Sequence, residues 1–152
     1  MALAAFVRMD THDKPTPAGL KLAAPVNPHY EKIGGEPAVA ALVEAFYRLM
    51  DTLPEAAGIR AMHEPDLSHT KAVLKLFLSE WLGGPRVYSA ERGQPHLRRR
   101  HMPFPIGEAE RDAWMLCMKG ALDEVVGDEA LRAQLMQAFF KTADFIRNDR
   151  PH

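Results

Sequence analysis

The sequence predicts an all-α domain, and three observations carry that reading. Apolar residues recur at helical spacing over several long stretches. No stretch has the two-residue alternation or the hairpin chemistry of strands. Glycine and proline fall between the periodic stretches rather than inside them. At 152 residues the chain has about the length of one domain able to bury a real core, and it contains no internal repeat.

Residues 1–27 read as an N-terminal extension, because Pro15, Pro17, Gly19 and Pro25 punctuate them and no period survives. The domain itself is placed at 28–152. A short helical piece carrying Tyr30, Lys32 and Ile33 stops at Gly34-Gly35. Glu36-Pro37 then opens a long helix, since proline suits the first helical position. Its apolar face is Val39, Leu42, Val43, Phe46, Tyr47 and Met50. A short helix from Pro54 fits between Leu53 and Met62, with Pro65 closing that region. Thr70, Leu74, Phe77, Leu78 and Trp81 share one face of a helix over about Ser68 to Leu82, and Gly83-Gly84-Pro85 stops it.

Arg86 to Gln94 has no clear period and is expected to be a loop. Pro95 opens a helix of about two turns in which Leu97 and His101 share a face, and Pro103 and Pro105 forbid its continuation. From about Glu108 another helix places Trp114, Cys117, Met118, Ala121, Leu122 and Val125 on one side. Gly127 ends it. Asp128 can cap the last helix, whose face is Leu131, Leu135, Phe139, Thr142 and Ile146.

A formal net charge of −1 argues against a dedicated nucleic-acid binder. Arg98-Arg99-Arg100 lacks interleaved aromatics, so it is weak support for such a patch. The one cysteine, Cys117, allows no internal disulfide and reads as inert core. No apolar run approaches the about 20 residues needed to cross a bilayer. The opening MALAAFVRMDTHDK lacks the layout of a signal peptide, so a cytoplasmic protein without nucleic-acid or membrane partners is expected.

His101 admits two readings from the residues alone. It is either a surface histidine ending a basic helix or a ligand to a metal or haem iron, since neutral imidazole is a common metal ligand. No second histidine or cysteine stands at zinc-type spacing: His96 is five residues away and Cys117 is remote. One histidine among apolar helical faces, methionines and aromatics suits a haem pocket better than a zinc site.

Four blocks carry a more specific signal: YEKIGG, AFYRLM, FLSEWLGGPRVYS and LRRRHMPFPIGEAERDAW. In this order they resemble the group II truncated haemoglobins over roughly residues 30–147. The resemblance implies a two-over-two helical sandwich, a globin whose first helix is nearly lost and whose proximal helix is cut short. It implies haem b (iron protoporphyrin IX), held non-covalently, with His101 as the proximal iron ligand. Trp114 would point its indole N–H into the distal pocket, and Tyr47 would face the bound ligand with its hydroxyl. Leu74, Phe77 and Thr70 would line the haem from the distal helix. Thr70 would stand at the gate where many globins keep a histidine, with His69 one step off that face. A further pocket position falls on Met62 or His63, of which His63 is preferred. Arg100 would meet a haem propionate, and Arg86 is a weaker candidate.

The resemblance therefore implies reversible binding of O₂ or a related ligand, with CO, NO and sulfide in the same class. Tyr47 and Trp114 would bond a ligand that gains partial negative charge. Two such bonds at roughly 1.5–3 kcal/mol each would slow its escape by about two orders of magnitude or more. Oxygen transport needs quick release, so strong retention favours sensing, storage or redox chemistry. The enzyme alternative is NO dioxygenase or peroxidase activity with an external reductase, because the chain encodes no flavin or nicotinamide domain. An alternative of another class is a haem-free helical interaction module. Monomer and homodimer are both compatible with the sequence.

Overall fold

The computed structural model describes residues 29–149, and these form eight α-helices and one 3₁₀ turn. The expected extension over 1–27 lies outside the described residues. Helix α1 (His29–Ile33) is the short first piece, tied to the rest of the chain by a bond from the Tyr30 N–H to the Leu82 carbonyl at 2.9 Å. Tyr30 also explains one glycine of the Gly83-Gly84 pair. A Cβ at Gly84 would come within 2.5 Å of the Tyr30 ring, so only glycine lets the two segments meet.

Helix α2 (Glu36–Thr52) starts with Pro37 in its first turn, as its sequence predicts. Gly35 precedes it at φ 74° and ψ −152°, a conformation essentially restricted to glycine. The predicted face is buried throughout: Val39, Leu42, Val43, Phe46, Tyr47 and Met50 are each at most 1% exposed. Each large apolar side chain so buried contributes about 1.5–3 kcal/mol relative to exposure. A 3₁₀ turn (Pro54–Ala56) runs into α3 (Ala57–Ala61), which divides the single short helix expected there.

Helix α4 (Ser68–Trp81) buries Thr70, Val73, Leu74, Phe77 and Leu78, while Trp81 is half-buried and stacks on Phe139 with ring centroids 4.5 Å apart. The expected loop over Arg86 to Gln94 is corrected by the structure: Val87–Arg92 is a helix, α5. Two turns are too short to display a period. Their stability comes from tertiary contacts, with Tyr88 buried against Phe77 and the Glu80 carboxylate accepting from the backbone N–H and hydroxyl of Ser89. Helix α6 (Leu97–His101) begins two residues after Pro95, later than expected. His96 adopts a left-handed conformation, φ 46° and ψ 50°, which turns the chain into α6 and excludes Pro95 from it.

Helices α7 (Glu108–Val125) and α8 (Glu129–Ile146) complete the fold. The Glu110 carboxylate accepts from the Gly107 N–H at 2.8 Å, and Asp128 accepts from the Leu131 N–H at 3.1 Å. Both bonds satisfy donors that a helix start leaves over. On α8 the buried position is Ala143; Thr142 is only half-buried and bonds the Ala138 carbonyl instead.

The layers follow from which helices touch. Helix α2 packs on α4, α7 packs on α8, and the two pairs meet most extensively between α2 and α7. This is the expected two-over-two sandwich. The short helices α5 and α6 join the pairs and carry His101 into the interior. Among the described residues there is no strand, and no helix is long and apolar enough to cross a membrane.

Candidate functional site

His101 is the last residue of α6 and is fully buried, which removes the surface reading of this histidine. Its Nδ1 lies 2.6 Å from the carbonyl oxygen of Leu97. A carbonyl can only accept, so Nδ1 carries the proton and donates. In the neutral ring the lone pair is then on Nε2, the arrangement a metal-ligating histidine needs. The helical spacing of Leu97 and His101 makes this bond local. Arg100, one position earlier, is also buried, and burial pulls its guanidinium down from the usual range.

Tyr47 and Trp114 come from the two helices that meet most closely. Both are 1% exposed. The Tyr47 hydroxyl and the Trp114 indole N–H are buried and have no hydrogen-bond partner among the described residues. Most buried polar groups are bonded, because an unsatisfied one costs about 1–3 kcal/mol. Phe46 bridges the region, 5.0 Å from the Tyr47 ring and 5.2 Å from that of Trp114. Burial pushes the Tyr47 phenol far above its ordinary pKa, with Arg60 acting weakly against it, so Tyr47 remains a protonated donor.

Met62 and His63 differ in burial. His63 is buried with its ring edge-on to Tyr47 at 5.9 Å, and Met62 is half-buried. The His63 Nδ1 donates to the Ile59 carbonyl at 2.7 Å, which fixes its ring on α3. On α4, Thr70, Leu74 and Phe77 are buried and His69 is exposed. Arg86 is exposed and lies 3.9 Å from the Glu80 carboxylate.

These residues fit a haem on grounds internal to the chain. A buried histidine with its tautomer fixed would hold the iron, a buried arginine would suit a carboxylate, and two buried donors without a partner among the described residues would suit a polar ligand. The same chain is matched over residues 28–148 by the family model described as a bacterial-like globin. The chain is a globin of this family. Its relatives place it in the truncated group. It is 38% identical over 122 residues to the group 2 truncated hemoglobin YjbI of Bacillus subtilis, covering 80% of this chain and 89% of the relative.

Among solved structures, the group II 2-on-2 hemoglobin of Agrobacterium tumefaciens is 46% identical with a TM-score of 0.77, covering 83% of this chain and 97% of that one. The cold-adapted truncated hemoglobin of Pseudoalteromonas haloplanktis is 41% identical with a TM-score of 0.78, covering 80% and 98%.

Three residues of this globin near the site escape sequence reasoning. Tyr88 is fully buried with its ring 5.6 Å from Phe77; the aromatic after Gly-Gly-Pro was its only sequence signal. Asn148, just past α8, donates to the carbonyls of His101 and Phe104 at 3.3 and 2.7 Å and accepts from the Ile106 N–H at 3.0 Å. It therefore pins the turn that follows the histidine. Arg60 binds the loop that carries His63, through the Glu64 and Pro65 carbonyls at 3.0 Å each. Nothing local in the sequence marks Asn148 or Arg60.

Proposed function

We propose that this globin holds haem b non-covalently through His101 and binds O₂ reversibly in a distal pocket formed by Tyr47, Trp114, His63, Thr70 and Leu74. The observation that carries the reading is the pair of buried donors, the Tyr47 hydroxyl and the Trp114 indole N–H, without a partner among the described residues. Bound haem would supply an iron with one position open to a diatomic ligand. The rest is the work of the chain. His101 presents Nε2 because the Leu97 carbonyl holds its other nitrogen. Tyr47 and Trp114 donate to a ligand that gains partial negative charge, in surroundings dry enough to strengthen such bonds. Leu74 and Phe77 give that space an apolar wall, Thr70 leaves its gate short, and Arg100 is assigned to a haem propionate.

Two donors on one ligand favour retention. That supports sensing, storage or redox chemistry over transport, including NO dioxygenase or peroxidase activity with a separate reductase. CO, NO and sulfide would compete for the same space. An absorption spectrum of the purified protein tests the reading. A Soret band at one haem per chain, shifting reversibly with O₂ after reduction, is expected. A chain that takes up no haem from solution would instead be a helical interaction module.

A further inference from the structure

We infer that Arg60 is a positioning residue of the distal pocket, locking the loop that carries His63 to the end of the helix that carries Tyr47. The inference rests on the pocket proposed above. Arg60 lies on α3, and the chain leaves that helix at Met62 to cross without regular structure to Ser68. The carbonyls in such a crossing have no helical partners. Arg60 supplies donors to two of them: Nη1 donates to Glu64 and Nη2 to Pro65, each at 3.0 Å. Its Nε donates to Asp51 Oδ1 at 2.5 Å. Asp51 follows Tyr47 by four residues on α2, about one helical turn.

A single planar group thus fixes three directions at once. Two hold the loop and one holds the helix of Tyr47. The His63 ring is fixed separately to the Ile59 carbonyl, so moving the loop relative to α2 changes how His63 meets Tyr47. The far end of the loop is anchored as well. Asp66 accepts from the backbone N–H and hydroxyl of Ser68, at 2.9 and 2.8 Å, where α4 begins. The crossing therefore has little freedom while Arg60 stays bonded. Lysine cannot reproduce the arrangement, since an ammonium offers no fixed planar fork. A surface ion pair alone would contribute little to stability, which gives the contrasting expectation.

The test compares Arg60→Ala, Arg60→Lys and Asp51→Ala with Lys71→Ala, which breaks the ion pair from Lys71 to Glu44 at 3.0 Å. The haem-loaded protein is read by the C–O stretching frequency of its carbon monoxide adduct. Amide hydrogen exchange over residues 62–67 and O₂ release are read alongside. The Arg60 and Asp51 variants should split or shift the C–O band and speed exchange in the loop. O₂ release should rise by roughly two- to tenfold, below the hundredfold that a 1 Å misplacement can cost. Lys71→Ala should change none of these.

If Tyr47→Phe and His63→Ala shift the C–O band while Arg60→Ala and Asp51→Ala leave it and the loop exchange unchanged, Arg60 is not a positioning residue. Full restoration of the parent band by Arg60→Lys would overturn the fork argument in the same way. If Tyr47→Phe also leaves the band in place, the pocket reading itself falls and this inference with it. Should Arg60→Ala fail to fold, Asp51→Ala still decides the matter, because it removes the acceptor of the tether to α2 and leaves the two bonds to the loop.

Discussion

Removing the Tyr47 hydroxyl should do two opposite things: weaken the hold on O₂ and strengthen the fold. In Tyr47→Phe the ring keeps its edge contacts to Phe46 at 5.0 Å and His63 at 5.9 Å, so packing is conserved. Only a hydroxyl without a partner among the described residues is lost. A hydrogen bond to a ligand carrying charge is worth about 1.5–3 kcal/mol, and about 1.4 kcal/mol is a factor of ten in rate, so O₂ release should rise roughly ten- to a hundredfold. Deleting an unsatisfied buried hydroxyl removes part of a penalty of about 1–3 kcal/mol. The ligand-free protein should therefore gain about 1 kcal/mol, or about 4 °C in Tm for a domain of this size. Because burial holds the phenol far above its ordinary pKa, titration of Tyr47 should add no pH dependence to release between about pH 6 and 9. Stopped-flow displacement of O₂ by CO and thermal unfolding of the ligand-free form give the two numbers. A release rate within twofold of the parent, together with a lower Tm, would show Tyr47 to be a core residue and refute the donor argument.

Trp114→Phe should also speed O₂ release, and the double variant with Tyr47→Phe should depart from additivity because both donors share one ligand. His101→Ala should abolish or severely weaken haem retention, read as loss of the Soret band; an unchanged band at full haem content would contradict its assignment. At the gate, Thr70→Trp should slow CO association without changing haem content, whereas His69→Ala, at an exposed position, should leave stopped-flow CO binding alone. Asn148→Ala loses three bonds to the turn after His101 and should cost about 3 kcal/mol of stability at roughly 1 kcal/mol per bond, seen in thermal unfolding together with faster haem loss.

The long helices were readable because each buries one continuous stripe. On α2 every residue of the predicted stripe is buried, and the breakers Gly34-Gly35 and Gly83-Gly84-Pro85 fall at real boundaries. Where the reading failed, the deciding contact is distant or the element is too short. Helix α5 depends on Glu80 of α4 and on the burial of Tyr88, neither of which a six-residue period can reveal. The start of α6 depends on the left-handed backbone of His96, a conformation uncommon outside glycine. The site divides in the same way. His101, Tyr47 and Trp114 stand inside recognisable motifs, yet the residues alone left His101 between surface and ligand, and only its burial in the fold removes the surface reading. Arg60 and Asn148 had no local signature, since Arg60 acts through backbone carbonyls and Asn148 reaches a turn more than 40 residues away in sequence.

The placement of the unsatisfied donors has a physical logic of its own. A hydroxyl and an indole N–H left unbonded cost about 1–3 kcal/mol each, so a chain keeps them only where neighbouring contacts outweigh the loss. Here they lie on α2 and α7, the pair with the most extensive contact in the fold. Tyr47 is flanked on α2 by Val39, Leu42, Val43, Phe46 and Met50, all buried, and Trp114 on α7 by Ala113, Cys117, Met118, Ala121 and Leu122. The same packing that absorbs the penalty also removes rotational freedom from both rings. Donors held in this way would lose little entropy on bonding the proposed ligand, so that preorganisation would turn fold stability into affinity. Moving either donor to a loop would relieve the penalty, because water could reach it, and would surrender the affinity for the same reason.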